Sequence, residues 1–221
     1  GFIIASAMEA CGLHKRIALN ILSLSGTSPS KIIAGFMIAT AFISMWVSNT
    51  ASTIMMLPIA VSVITIFSNQ PNIRNENFAI PLLLAIAYSA SIGGASTLIG
   101  TPTNIMLSSI LSDSYNYEIS FLDWLLIGLP VAIFLLPTVW FFLTNISFNV
   151  SKKKSNALER TIQEMRGEIG SPSFTEKIVA TVFFLTATFW VLRRSLNEIF
   201  NLNLNDTSIG LLGALLLFLI P

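Results

Sequence analysis

The sequence predicts an all-α, polytopic membrane protein, and three features carry that reading. Hydrophobic residues make up 53% of the 221 and charged residues only 10%, with a mean hydropathy of +0.76. Soluble domains carry about 25% charged residues, and a soluble fold of this length has too little interior to hide so much apolar surface. The charges also gather in clusters, at His14-Lys15-Arg16, in 112–123 and in 151–177, with apolar runs between them. Finally, two of those runs are too long for one crossing, which takes roughly 20 apolar residues, and each is interrupted near its middle by small polar residues.

Taken in order, residues 1–30 read as the end of a transmembrane helix and an interfacial segment. Residues 1–13 form the tail of one span, closed by His14-Lys15-Arg16, and Ile17 to Leu24 is a short apolar stretch suited to lying flat at the interface. Residues 31–68 hold the first long run, Ile32 to Phe67, which is 36 residues without a charge. Divided at Ser48-Asn49-Thr50, it makes two helices of about 26 Å each at ~1.5 Å per residue. That is slightly short of a full crossing, so a re-entrant hairpin is expected. Residues 77–112 hold the second, whose apolar part, Asn77 to Leu111, is 35 residues long. Gly93, Gly94, Gly100, Pro102 and several hydroxyl residues crowd its middle, which predicts a discontinuous helix unwound over 93–104, its second half opening near Pro102.

Residues 124–143 read as an ordinary span with Trp124 and Trp140 near its ends, where interface aromatics sit. Residues 151–177 form a polar linker with six basic and four acidic residues and a short surface helix over 156–166. Residues 178–221 supply further spans. Ile178 to Leu192 is somewhat short, and the last, starting at Thr207, is truncated. Both ends read as cut inside apolar runs, so the chain is expected to be a fragment of something longer. The excess of Lys and Arg places the 151–177 linker in the cytoplasm and the acidic 112–123 loop outside. Counting back, residues 69–76, Lys31 and His14-Lys15-Arg16 also face the cytoplasm, and the hairpin enters and leaves from that side. Arg193 and Arg194, in the outer 193–206 loop, run against this rule and are partly offset by Glu198 and Asp206.

Several function classes drop out. With one cysteine, Cys11, and one histidine, His14, the chain has no internal disulfide, no Cys/His metal cluster and no nucleophile–histidine set. Glu9, Glu76, His14 and the loop acids all lie outside the apolar breaks, which argues against a membrane enzyme. A net charge of +1 points neither toward nor away from nucleic acid, and for a chain solvated by lipid none is expected as a partner. A channel is the weaker transport reading: a re-entrant loop also builds selectivity filters, but channels usually need a symmetric ring of such loops, and here a broken helix follows in the same chain.

What remains is a pair of polar interruptions inside hydrocarbon. Non-helical backbone at membrane depth is tolerated only where it is buried in protein or lines a cavity, so two such breaks in neighbouring segments point to one shared site. Free carbonyls and hydroxyls are hard oxygen ligands suited to sodium. Helix N-termini suit a carboxylate or sulfate. Neither break contains Arg or Lys, so an anion bound there needs amides, hydroxyls and a bound cation, which predicts cation coupling. Small residues also serve simply to let membrane helices approach, and for either cluster alone that role explains the composition equally well. Asn49 is the sharpest residue, because an amide in hydrocarbon is costly unless it is satisfied.

Ser44-Met45-Trp46-Val47-Ser48-Asn49-Thr50-Ala51, followed by Met55-Met56-Leu57-Pro58, resembles the first re-entrant hairpin of the divalent anion/sodium symporter family, which includes the INDY-like dicarboxylate carriers. Ser91-Ile92-Gly93-Gly94 and Gly100-Thr101-Pro102-Thr103-Asn104 are similar to the break in that family's following helix, and Ala7-Met8-Glu9 with Gly12 to Leu19 is similar to its upstream segment. The resemblance covers residues 1–145 well and the rest loosely. It implies an elevator-type secondary transporter of the cell membrane, a homodimer, made of two inverted repeats of which this chain is the first. It implies sodium held by Ser44, Ser48, Asn49 and Gly100, and a substrate carboxylate met by Asn49, Thr50 and Thr101. The implied activity is sodium-coupled symport of C4-dicarboxylates such as succinate, malate or fumarate, or of related tricarboxylates. Sulfate symport and sodium-independent exchange are the alternatives within the family. Thr103 departs from the pattern, which more often has a second proline there.

Overall fold

A computed structural model describes residues 1–26, 28–68, 76–151, 156–200 and 203–219. The described residues form ten α-helices and no strand: α1 Phe2–Ala10, α2 Leu13–Leu24, α3 Pro29–Ser44, α4 Asn49–Ser68, α5 Glu76–Ser96, α6 Pro102–Tyr115, α7 Phe121–Phe141, α8 Asn156–Glu168, α9 Phe174–Phe200 and α10 Asp206–Leu219. A π-helical stretch, Phe142–Ser147, continues α7. Among these residues three helices are long and apolar enough to cross a membrane, Asn77–Ser96, Phe121–Ser147 and Phe174–Phe200, and Pro29–Ser44, Asn49–Thr65 and Asp206–Leu219 are shorter apolar helices. The all-α membrane class expected from composition is therefore what the chain adopts.

The helix boundaries differ from the sequence reading in places, each for a local physical reason. Gly12, at φ +78°, ends the first helix before the basic triplet, so His14, Lys15 and Arg16 open α2 instead of closing α1. The hairpin turns over residues 45–48, and Asn49 and Thr50 already belong to the first turn of α4. Helix α5 runs on to Ser96, so Gly93 and Gly94 are helical and only residues 97–101 are out of helix. Helix α9 extends over both Arg193 and Arg194, well beyond the short span expected. The basic run at 152–154 and the 69–75 connection lie outside the described residues.

Helix α5 is the central pillar, packed against α3, α4 and α7, while α9 packs on α10 and both touch α1. Gly93 shows why α3 and α5 come so close: a Cβ there would stand 2.2 Å from the Ala41 carbonyl oxygen. Around this contact Phe36, Met37, Ile43, Leu82, Ala85 and Ile86 are all buried.

Two ionic layers mark the ends of α9. At its start, a Ser173/Glu176 capping box satisfies the first-turn amides, with Ser173 N–H donating to Glu176 Oε2 at 2.6 Å and Glu176 N–H to Ser173 Oγ at 3.1 Å. Glu176 is 5% exposed and accepts from Arg16 Nε at 3.0 Å and Nη2 at 2.9 Å, and Arg16 also donates to the Gly170 carbonyl at 2.8 Å. Glu176, one of the four acidic residues of the linker, is thus the buried partner that ties the linker to α2. The two segments that charge bias assigns to the cytoplasm thus meet at one end of α9.

At the other end, Arg194 pairs with Asp123 at 2.8 Å and Arg193 with Asp206 at 3.1 Å, while Asp206 Oδ2 accepts the Phe121 N–H at 2.7 Å. The arginines that ran against the charge rule are therefore each paired with an aspartate. Ser120 and Asp123 form a second capping box at the start of α7.

Candidate functional site

The hairpin tip and the break after α5 meet. Thr97, the first residue out of helix after α5, donates its hydroxyl to the Met45 carbonyl, the first residue of the hairpin turn. Ser44, fully buried at the end of α3, lies 2.7 Å from the Ala90 carbonyl of α5 and 2.8 Å from the Asn49 carboxamide. A hydroxyl carries one proton. With that proton on the Ala90 carbonyl, the Asn49 contact is a hydrogen bond only if the amide nitrogen faces Ser44; with the proton on Asn49 Oδ1, the Ala90 contact loses its donor. Asn49 is the group free to choose, since its two ends are interchangeable by rotation.

Two glycines bring this pair against the break. A Cβ on Gly94 would fall 1.9 Å from Asn49 Oδ1. A Cβ on Gly100 would fall 2.5 Å from the Gly94 carbonyl oxygen and 3.0 Å from the Ser44 carbonyl oxygen. Ser44, Asn49, Gly94 and Gly100 therefore share one small volume, built from main-chain oxygens, a hydroxyl and a carboxamide with no formal charge.

The other candidates flank it. Ser48 Oγ accepts the Ala51 N–H at 3.3 Å and so caps α4. Thr50 is exposed on the first turn of α4. Thr101 is half-buried, extended at φ −145° and ψ 145°, and precedes Pro102 at the start of α6, where no side chain caps the free amides. Its hydroxyl lies 3.3 Å from that of Thr103. Among the described residues no hydrogen bond joins Thr50 or Thr101 to the Ser44–Asn49 pair, so the geometry groups Ser44, Asn49 and Gly100 tightly and leaves Ser48, Thr50 and Thr101 on the rim.

Sequence reasoning missed two participants. Trp46, at the tip, packs edge-on against Phe183 of α9 at 4.7 Å between ring centroids and stacks on Phe121 at 6.0 Å. Asn104, buried on the first turn of α6, donates to the Gly94 carbonyl at 3.0 Å and to the Thr97 carbonyl at 2.8 Å. Its signal was available: like Asn49, it is an amide inside an uncharged apolar run, immediately after a break.

The amino-acid sequence is similar to known proteins along the whole chain. Residues 1–221 match the model of the citrate transporter family. The sodium-dependent dicarboxylate transporter SdcS of Staphylococcus aureus strain USA300 is 39% identical over 230 residues, covering 100% of this chain and 44% of that protein. SdcS of strain NCTC 8325 / PS 47 is similar to the same extent, 39% over 230 residues, with the same coverage. The chain thus spans less than half the length of the curated relatives it matches. The kinship carried by the Ser-Asn-Thr tip and the Gly-Thr-Pro break is borne out: the chain belongs to the citrate transporter family, a family of membrane transporters and not of enzymes.

Proposed function

We propose that this chain supplies one hairpin–break half-site of a sodium-coupled symporter of C4-dicarboxylates or related di- and tricarboxylates. The observation that carries the reading is the convergence of Ser44, Asn49, Gly94 and Gly100 on one uncharged, oxygen-rich volume beside two uncapped or lightly capped helix N-termini. Oxygens of that kind suit sodium, which binds as coupled cargo to Ser44, Ser48, Asn49 and the Gly100 carbonyl. The substrate carboxylate meets Asn49, Thr50 and Thr101, where the amides at the starts of α4 and α6 favour negative charge. Because no cationic side chain stands among these residues, the sodium ion supplies the charge that holds the anion. When sodium takes the Asn49 oxygen, the amide nitrogen is left to face the carboxylate. The relatives named as sodium-dependent dicarboxylate transporters support both the ion and the substrate class.

The depth of the tip fits this role. Phe183, against which Trp46 packs, stands about 10 Å along α9 from the Glu176 layer and about 15 Å from the Arg193 layer, at ~1.5 Å per residue. A tip set between two charged planes, midway along a helix long and apolar enough to cross a membrane, supports a re-entrant hairpin. The division of the packing is what supports an elevator mechanism. The hairpin, α5 and α7 form one body, and α9 and α10 with α1 form another. They meet where Trp46 packs edge-on against Phe183, where Phe121 stacks on Trp190, and through the Asp123 and Asp206 ties. In this reading the first body carries the site past the second, the carrier works as a homodimer, and it resides in the cell membrane.

Uptake into proteoliposomes tests this directly. Labelled succinate is expected to accumulate with an inward sodium gradient and not with potassium, and labelled sulfate is not. Sulfate accumulation in place of succinate, or succinate counterflow at full rate without sodium, contradicts the proposal.

A further inference from the structure

We propose that Asn104 is a positioning residue that holds the helix break in the shape from which Gly100 and Thr101 face the hairpin tip. This inference rests on the function proposed above.

Ending α5 at Ser96 leaves its last carbonyls without their in-helix partners. Buried carbonyls of this kind must find donors elsewhere. Two carbonyls at this end, that of Gly94 in the last turn of α5 and that of Thr97 just beyond it, are taken by the same group: the two N–H bonds of Asn104 Nδ2 reach them at 3.0 and 2.8 Å. The Asn104 main-chain N–H meanwhile donates to the Thr101 carbonyl at 3.1 Å. Three hydrogen bonds from one 9%-exposed residue therefore bracket Gly100 and Thr101. Asn104 caps the end of α5 from within the first turn of α6, and the two half-helices are locked to each other across the unwound segment.

The lock also reaches the hairpin. Gly94, whose carbonyl Asn104 holds, is the residue whose missing Cβ leaves room for the Asn49 carboxamide. Its carbonyl oxygen also stands 2.5 Å from where a Gly100 Cβ would be. A shift of Gly94 therefore disturbs Asn49 and Gly100 together. By satisfying Gly94 and Thr97, Asn104 also removes those two oxygens from the set competing for a cation, leaving the ion to the oxygens at Ser44, Asn49 and Gly100.

The carboxamide is required for its donors more than its volume. Aspartate has the same shape but no donor when ionised, and it would aim negative oxygens at two carbonyls. Asn104→Asp in reconstituted carrier is therefore expected to raise the half-saturation concentrations for both sodium and succinate by about tenfold or more. The maximal rate per correctly inserted carrier is expected to change by no more than about twofold. A change in packing or yield alone lowers the maximal rate and leaves half-saturation where it was. Lowering the pH through the carboxyl range restores one O–H donor, so the ratio of Asn104→Asp to wild-type uptake is expected to rise as pH falls, and that of Asn104→Ala is not. Where a variant transports too little to measure, the sodium concentration that half-maximally raises its thermal stability is read in detergent, with the same increase expected. Wild-type half-saturation in either variant overturns the inference. Wild-type protein without sodium-dependent uptake overturns the functional reading instead.

Discussion

Asn49→Ala is expected to abolish sodium-dependent succinate uptake while leaving the fold standing. In the proposed site the substitution removes the one side chain that serves both ligands, its oxygen end toward the cation and its nitrogen end toward the carboxylate. The neighbouring structure loses little. Ser44 keeps its 2.7 Å bond to the Ala90 carbonyl, and Thr97 still ties the break to the Met45 carbonyl. A single lost hydrogen bond at a half-buried position costs about 1 kcal/mol of stability, so the protein is expected to insert and purify normally. In the proposed mechanism the two ligands reinforce each other, and with neither contact made the loss is expected to exceed about 100-fold, two decades or ~2.8 kcal/mol. Initial rates of labelled succinate uptake, normalised to inserted protein, measure it. Uptake equal to wild type at saturating sodium removes Asn49 from the site.

Gly93→Ala and Gly94→Ala, one residue apart, are expected to fail in opposite ways. A Cβ at Gly93 meets main chain, with the Ala41 carbonyl oxygen at 2.2 Å and its Cα at 2.6 Å. Neither α3 nor α5 can give way without moving the helix, so the cost is expected at about 3 kcal/mol or more, the upper end for overpacking, seen as lost thermal stability or lost insertion. A Cβ at Gly94 meets the end of a side chain, Asn49 Oδ1 at 1.9 Å. The carboxamide can swing away, so stability is largely kept and the site is lost. The pair is read by thermal unfolding in detergent beside succinate uptake. Gly94→Ala with normal uptake, or Gly93→Ala with normal stability, contradicts the packing described here.

These glycines also show how far the sequence can be read. A run of Gly, Ser and Thr in an apolar segment signals either an unwound stretch or a close helix contact, and composition alone does not separate them. Gly93 and Gly94 are contact glycines inside α5, while Gly100 lies in the break itself. The difference depends on α3 and Asn49, which approach only in the folded chain. The class of fold was legible because burial in lipid is a property of whole segments. Partnerships across the chain were not. The partner of Glu176, Arg16, lies 160 residues away, and Arg193 and Arg194 run against the charge rule in sequence although Asp206 and Asp123 stand beside them in the fold. Asn49 was legible from the cost of an amide in hydrocarbon. Asn104 obeys the same logic, but its acceptors are main-chain carbonyls that no side-chain pattern announces.

Whether the hairpin tip and the helix break form one sodium-linked site is read from the thermal stability of purified carrier as a function of sodium. A ligand that binds only the folded state at about 100 times its dissociation constant stabilises by ~2.7 kcal/mol. Wild-type protein is expected to gain a saturable increase of this kind in sodium and none in potassium at equal ionic strength. Asn49→Ala and Gly94→Ala, one altering the tip and the other the helix that leads into the break, are both expected to lose most of that increase. An undiminished sodium-specific increase in both variants places the cation elsewhere and rules out a shared site at the tip and the break.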